Sequence, residues 1–128
     1  MFEQDYIMRL VKEIIRVLLK LLFNLEVESP TSDLLENMEE KGILDALLDK
    51  VDVGYINEAE NQIFELTGDG DTKHLETALL FYSYLNEKSD DFLTEHHFSR
   101  EEIRSGLHDV VSGYGLEGMA GAFIPDDI

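Results

Sequence analysis

Residues 3–25 carry apolar side chains at nearly every position that helical spacing allows, and no Gly or Pro interrupts them. On a helical wheel, Asp5, Arg9, Lys12, Glu13, Arg16, Lys20 and Asn24 gather in a stripe about 120 degrees wide. Ile7, Leu10, Val11, Ile14, Ile15, Leu18, Leu19, Leu22 and Leu25 occupy the rest of the cylinder. The pattern predicts one long amphipathic helix with an unusually wide apolar arc. Such a helix is surrounded by protein on most sides, or it meets a second molecule.

Ser29-Pro30-Thr31-Ser32 is expected to end that helix, because Pro30 lacks an amide donor and disfavours helical geometry at Ser29. Residues 33–52 read as the next helix, capped within Thr31–Asp33 and stopped at Gly54, with Gly42 a candidate division. A helix over 57–67 follows, with Asn57 and Glu60 spaced as a loose capping box. Gly68-Asp69-Gly70-Asp71 reads as a tight loop, and residues 72–87 as a central apolar helix. Ser89 caps a short helix containing Phe92 and Leu93. Ser99-Arg100-Glu101-Glu102 is a capping box, and Phe98 with Ile103 forms its hydrophobic staple. The helix it opens runs to Gly113, and Leu116 to Phe123 suggests a last short one. No stretch alternates as a strand does.

These elements predict an all-α fold, a multi-helix bundle of antiparallel αα-hairpins. One domain spans 1–128: a long helix over 1–25, a linker over 26–32, a helical body over 33–124 and a tail over 125–128. Gly54, Ala59 and Ile63 resemble the entry to the second helix of a tetratricopeptide repeat, where small residues let paired helices approach closely. The repeat's Trp, first-helix Gly and terminal Pro are missing, and Asp71 stands where that Pro belongs. The likeness therefore implies a repeat-like pair of helices and no solenoid.

Charge changes the picture. Acids outnumber Lys and Arg 28 to 10, a net charge of -18. A surface that acidic repels nucleic acid and anionic lipid over most of its area. The acidity is segregated, for residues 1–25 carry a net +1 and the remainder −19. With no Cys, thiol catalysis, disulfides and thiolate metal sites are excluded. The charges within residues 7–25 argue against a signal peptide and against a membrane span. The expectation is a cytoplasmic protein of bacterial style.

Asp5-Tyr6-Ile7-Met8-Arg9-Leu10, Asn57-Glu58-Ala59-Glu60-Asn61 and Ala78-Leu79-Leu80-Phe81-Tyr82-Ser83-Tyr84-Leu85 together resemble an uncharacterised bacterial family of small helical proteins. The resemblance spans nearly the whole chain. It implies an all-helical fold and brings no activity, ligand or cofactor.

The chemical motifs are sparse. Gly113-Tyr114-Gly115-Leu116-Glu117-Gly118 has dinucleotide-loop spacing, but a helix precedes it and the downstream acid is lacking. Asp69-Gly70-Asp71 opens like a calcium loop, but Lys73, His74 and Leu80 fall where an oxygen ligand, Gly and Glu belong. His96, His97, Glu101 and His108, with Glu95 and Glu102, are the weak candidates for a metal site and a metal-dependent enzyme. Paired acids such as Glu39-Glu40 and Asp90-Asp91 read as a solvated face. No catalytic motif and no cofactor is expected.

The leading reading is a non-enzymatic module for self-association, as a homodimer, or for binding another protein. Its interaction residues are the basic stripe of Arg9, Lys12, Arg16 and Lys20 and the apolar Ile14, Leu18 and Leu22. The stripe faces either an acidic partner or the acidic body of its own chain. The apolar arc is core, a dimer seam or a membrane-surface face, and stable attachment to an anionic membrane is disfavoured by the −19 body.

Overall fold

The computed structural model describes residues 2–26, 31–116 and 118. Six α-helices lie among them: α1 (Phe2–Phe23), α2 (Met38–Asp52), α3 (Ile56–Thr67), α4 (Thr72–Asn86), α5 (Asp90–Glu95) and α6 (Arg100–Gly113). A single 3-10 turn, Ser32–Leu34, precedes α2. No strand occurs among the described residues. The expected all-α fold with a long first helix is what forms.

The most apolar body helix takes the centre, as its composition requires. α4 touches α1, α2, α3 and α6. Ten of its side chains are buried, including Leu79, Leu80, Phe81, Tyr82 and Leu85. Phe81 and Tyr82 meet edge to face at 5.2 Å, a geometry that aromatic quadrupoles favour.

α1 lies across α4 and α6. Ile7, Leu10, Val11, Ile15, Leu18 and Leu19 are all buried there. Each fully buried aliphatic side chain of this size contributes roughly 1.5–3 kcal/mol relative to exposure. The wide apolar arc is therefore core from Ile7 to Leu19.

Several boundaries differ from the expected ones, each for a local reason. α1 stops at Phe23 rather than at Leu25, because Asn24 adopts a left-handed φ of 57 and its amide bonds the Lys20 carbonyl at 3.1 Å. Pro30 lies outside the described residues. α2 starts at Met38, not at 33, because Asn37 accepts a hydrogen bond from the Glu40 amide at 3.0 Å and so caps the helix. Gly42 does not divide α2, and it faces open space. α3 starts at Ile56 with Tyr55 in the cap position and no side-chain cap, so Asn57 and Glu60 form no box. The expected helix over 116–123 and the 125–128 tail fall outside the described residues apart from Leu116 and Gly118.

The remaining caps follow the sequence. Asp71 accepts from the Lys73 amide and Ser89 from the Phe92 amide, both at 3.0 Å. Ser99 and Glu102 form the reciprocal capping box, with both amide bonds at 3.1 Å, and Phe98 and Ile103 are buried behind it. Asp69-Gly70-Asp71 is a turn in which Asp69 accepts from the Asp71 amide and Gly70 has φ 75. Gly113, the first glycine of the dinucleotide-like spacing, is the last residue of α6, so a helix and not a strand leads into it. No described helix is long and apolar enough to cross a membrane.

Candidate functional site

The outward face of α1 carries Arg9, Lys12, Arg16 and Lys20, all exposed. Their only ion pairs among the described residues are Arg16 with Glu13 on the same helix and Lys20 with Glu26 just beyond it. Among the described residues, the stripe makes no ion pair with any other helix. The body treats its cations differently. Lys41 reaches Asp33 at 3.6 Å, Lys50 reaches Glu58 at 2.5 Å, Lys88 reaches Asp52 at 2.7 Å and Arg100 reaches Asp90 at 2.9 Å, each joining separate elements.

The three apolar candidates on α1 separate. Leu18 is fully buried and belongs to the core, so it is withdrawn from any partner surface. Ile14 is half-buried against the same core. Leu22, with 37% exposure, and its neighbour Leu21, with 49%, are exposed at the end of the helix.

The histidine cluster is dispersed. His96 turns its ring onto Phe92, with centroids 4.5 Å apart, and sits against Gly54. His97 is exposed in a left-handed turn with φ 58. Glu101 pairs with Arg104 at 2.7 Å, and exposed His108 lies 3.9 Å from Asp109. Among the described residues, no group of three or more His, Asp and Glu side chains is placed to hold a metal ion. His96, His97, Glu101 and His108 are not brought together.

The structure instead assembles polar centres between helices. Glu40 on α2 is 1% exposed, accepts from the Thr77 hydroxyl at 2.7 Å and lies 3.3 Å from His74 Nε2. Asp69 lies 3.0 Å from His74 Nδ1. An imidazole donates to both carboxylates only when each ring nitrogen carries a proton. The Tyr114 hydroxyl closes the same corner by donating to the Asp71 carbonyl at 2.6 Å. Burial, then the carboxylates of Asp69, Asp71 and Glu40, push Tyr114 up to about 12. Thr77 is fully buried, so this corner clamps α2, α4 and the loop after α3 rather than offering a reachable nucleophile.

A second centre joins α3, α4 and α6. The Tyr82 hydroxyl donates to Glu60 Oε2 at 2.7 Å. Burial raises Glu60 above the ordinary carboxylate range, and Glu102 and Asp109 add to that against the lowering effect of the Tyr82 bond. Gly106 makes the contact possible, since a Cβ there would lie 2.5 Å from the Tyr82 hydroxyl and closer still to Glu60. A third centre is Arg100, 5% exposed, which donates to the Asn86 and Lys88 carbonyls and to Asp90. It borders a cavity of about 270 Å³ whose apolar wall is Ile7, Leu93 and Phe98. With its charge already shared among those acceptors, Arg100 serves the end of α4 more than it serves the cavity.

None of these centres was singled out in the sequence, yet a signal was there. Glu40 falls in helical register with the buried Leu44, Leu47 and Val51, and Arg100 with Ile103 and Leu107. A polar residue in phase with an apolar stripe marks a buried polar contact. The Ala59 and Ile63 of the repeat-like signature are buried, but Gly54 makes room for the His96 ring and not for a paired helix.

No curated protein and no solved structure matches the chain. A family model does, over residues 1–115. With that match spanning most of its length, the chain belongs to DUF6483, a family of unknown function.

Proposed function

We propose that this chain is a non-enzymatic protein-docking module whose contact surface is the outer face of α1. One observation carries the reading: the four cations of α1 join no separate elements of the fold, whereas four of the six body cations do. In a chain with 28 acids, a cation readily finds an internal partner. Four that share one solvent face and hold nothing together favour an external acidic surface. The family match brings no activity that competes with this reading, and the polar centres are built into the packing between helices.

Sedimentation velocity tests it, with Arg9, Lys12, Arg16 and Lys20 all changed to Gln and Lys73→Gln as the control. Wild type and control are expected to associate reversibly, less so at high salt, while the fourfold variant stays at 14.6 kDa. A photocrosslinker at Lys12, with one at Lys73 as the control, reads contact with a different protein in the native cell. A wild type that stays at 14.6 kDa and forms no adduct specific to the Lys12 position overturns the reading.

A further inference from the structure

α1 carries an apolar line that starts in the core and ends in solvent. Ile7, Leu10, Ile14, Val17 and Leu21 follow one another at alternating intervals of three and four residues. That is the repeat of a helix packed lengthwise on another helix. The fold covers only its first part. Ile7 and Leu10 are buried, Ile14 and Val17 are half-buried, and Leu21 is 49% exposed. Ile14 packs on the core, while Val17 is not among the described residues that do. Tyr6, 39% exposed, lies one turn before Leu10. Tyr6, Leu10, Ile14, Val17 and Leu21 together span an arc of about 80 degrees on the helix, between its core side and its basic stripe.

Two opposite charges border this line on its solvent side. Glu13 and Lys20 stand one heptad apart, each directly before a member of the line, Ile14 and Leu21. The opposite border is formed by Val11 and Leu18, which are buried in the core. These borders decide which pairing of two such helices is complementary. In a parallel pair, the charged border of one helix faces the apolar border of the other, and no ion pair forms. In an antiparallel pair, like borders face each other. With Ile14 against the partner's Val17, Glu13 falls opposite the partner's Lys20, and the two-fold axis repeats both contacts. The surface is thus complementary to itself.

The distribution of charge favours the same occupant. Residues 26–128 carry −19 and residues 1–25 carry +1, so two copies meet with least repulsion through α1. At physiological salt the Debye length is about 8 Å, which screens the bodies while charges in contact still attract. The present partners of Glu13 and Lys20 are Arg16 and Glu26, in exposed pairs close along the chain. Such pairs are worth little and exchange readily.

We propose that α1 pairs antiparallel with α1 of a second copy of this chain, through Ile14, Val17 and Leu21, with Glu13 of each copy bonded to the partner's Lys20. Leu21 closes over the partner's Leu10 and Tyr6. The proposal rests on the docking role of α1 and names the partner. The contact is isologous, so it stops at a dimer.

Sedimentation velocity on the full chain at physiological salt tests it, with Glu13→Lys and Lys20→Glu as separate variants. Each alone sets like charges opposite each other at both ends of the contact, and is expected to weaken dimerisation about tenfold. Mixed in equal amounts, the two variants are complementary, and a one-to-one dimer as tight as that of wild type is expected. Leu21→Gln is also expected to weaken the dimer about tenfold, as loss of a central apolar contact does. In dilute solution all three should melt near wild type by circular dichroism, since about half of each changed side chain is exposed, 44% for Glu13, 51% for Lys20 and 49% for Leu21. If wild type dimerises but the mixed variants stay weak, the antiparallel contact is overturned, and the docking role of α1 stands as long as the fourfold Gln variant stays monomeric. If wild type stays at 14.6 kDa, a second copy is overturned as the partner, and a Lys12 photoadduct then still upholds the docking role.

Discussion

At the scale of single residues, Gly106 and Glu60 show how much one position decides. Gly106→Ala gains ~1 kcal/mol of helix propensity. It also drives a methyl group into the Tyr82–Glu60 contact, and overpacking costs typically ~1–3 kcal/mol. A net loss of stability is expected in urea titration, and the loss should shrink in a Tyr82→Phe background where the hydroxyl is gone. Glu60 makes a pH prediction. Its carboxyl is raised in the folded chain, chiefly by burial, so the folded state holds its proton more tightly than the unfolded state does. That contribution is complete below the ordinary value of 4.5 and is lost as pH rises through the raised one. The stability of wild type relative to Glu60→Gln should therefore fall as pH goes from acid to neutral. Parallel denaturation curves for the two proteins at all pH values would contradict it. The register of Glu60 with Ile56 and Ile63 marks a buried polar contact, but nothing nearby in sequence says that a tyrosine of another helix completes it.

At the scale of elements, capping was the most readable signal. Ser99, Glu102, Phe98 and Ile103 were identifiable from spacing alone, and the box and the burial behind it both formed. Ser99→Ala should destabilise the chain by ~1 kcal/mol, the usual value of such a cap, and thermal melting will show it. Where spacing misled, another local group competed better. Asn37 captured the start of α2 from Thr31–Asp33, and Asn24 ended α1 ahead of Pro30. α1 also separates core from surface along a single helix. Leu18→Ala should cost ~2–5 kcal/mol, as truncation of a buried leucine does, whereas Leu22→Ala should cost much less because its side chain is partly solvated. Equal losses at the two sites would refute this division of the helix.

At the scale of the whole molecule, charge is the dominant variable. Four body cations are spent on joining elements, and many of the acids face solvent. A chain with net charge -18 repels itself, and added salt screens that repulsion. The melting temperature of the monomeric fourfold Gln variant should rise between low and physiological salt, an effect opposite in sign to that of salt on docking through α1. A melting temperature that falls would mean that the inter-element ion pairs outweigh self-repulsion. The proposed docking role and the fold thus respond to salt in opposite directions, which lets one titration separate them.

Helical periodicity, the absence of strand alternation, the caps at Ser89 and Ser99 and the segregation of charge along the chain follow from local spacing and composition. Those signals lie within a turn or two of sequence, so the sequence alone determined them. Tertiary structure decided which side of α1 is core, and it left the basic stripe exposed, with no ion pair to another helix among the described residues. It dispersed His96, His97, Glu101 and His108, and it brought Glu40 to His74, Glu60 to Tyr82 and Gly54 against His96. Each of those outcomes depends on the packing of helices distant in sequence. Spacing along the chain carries no record of which distant helix will lie alongside.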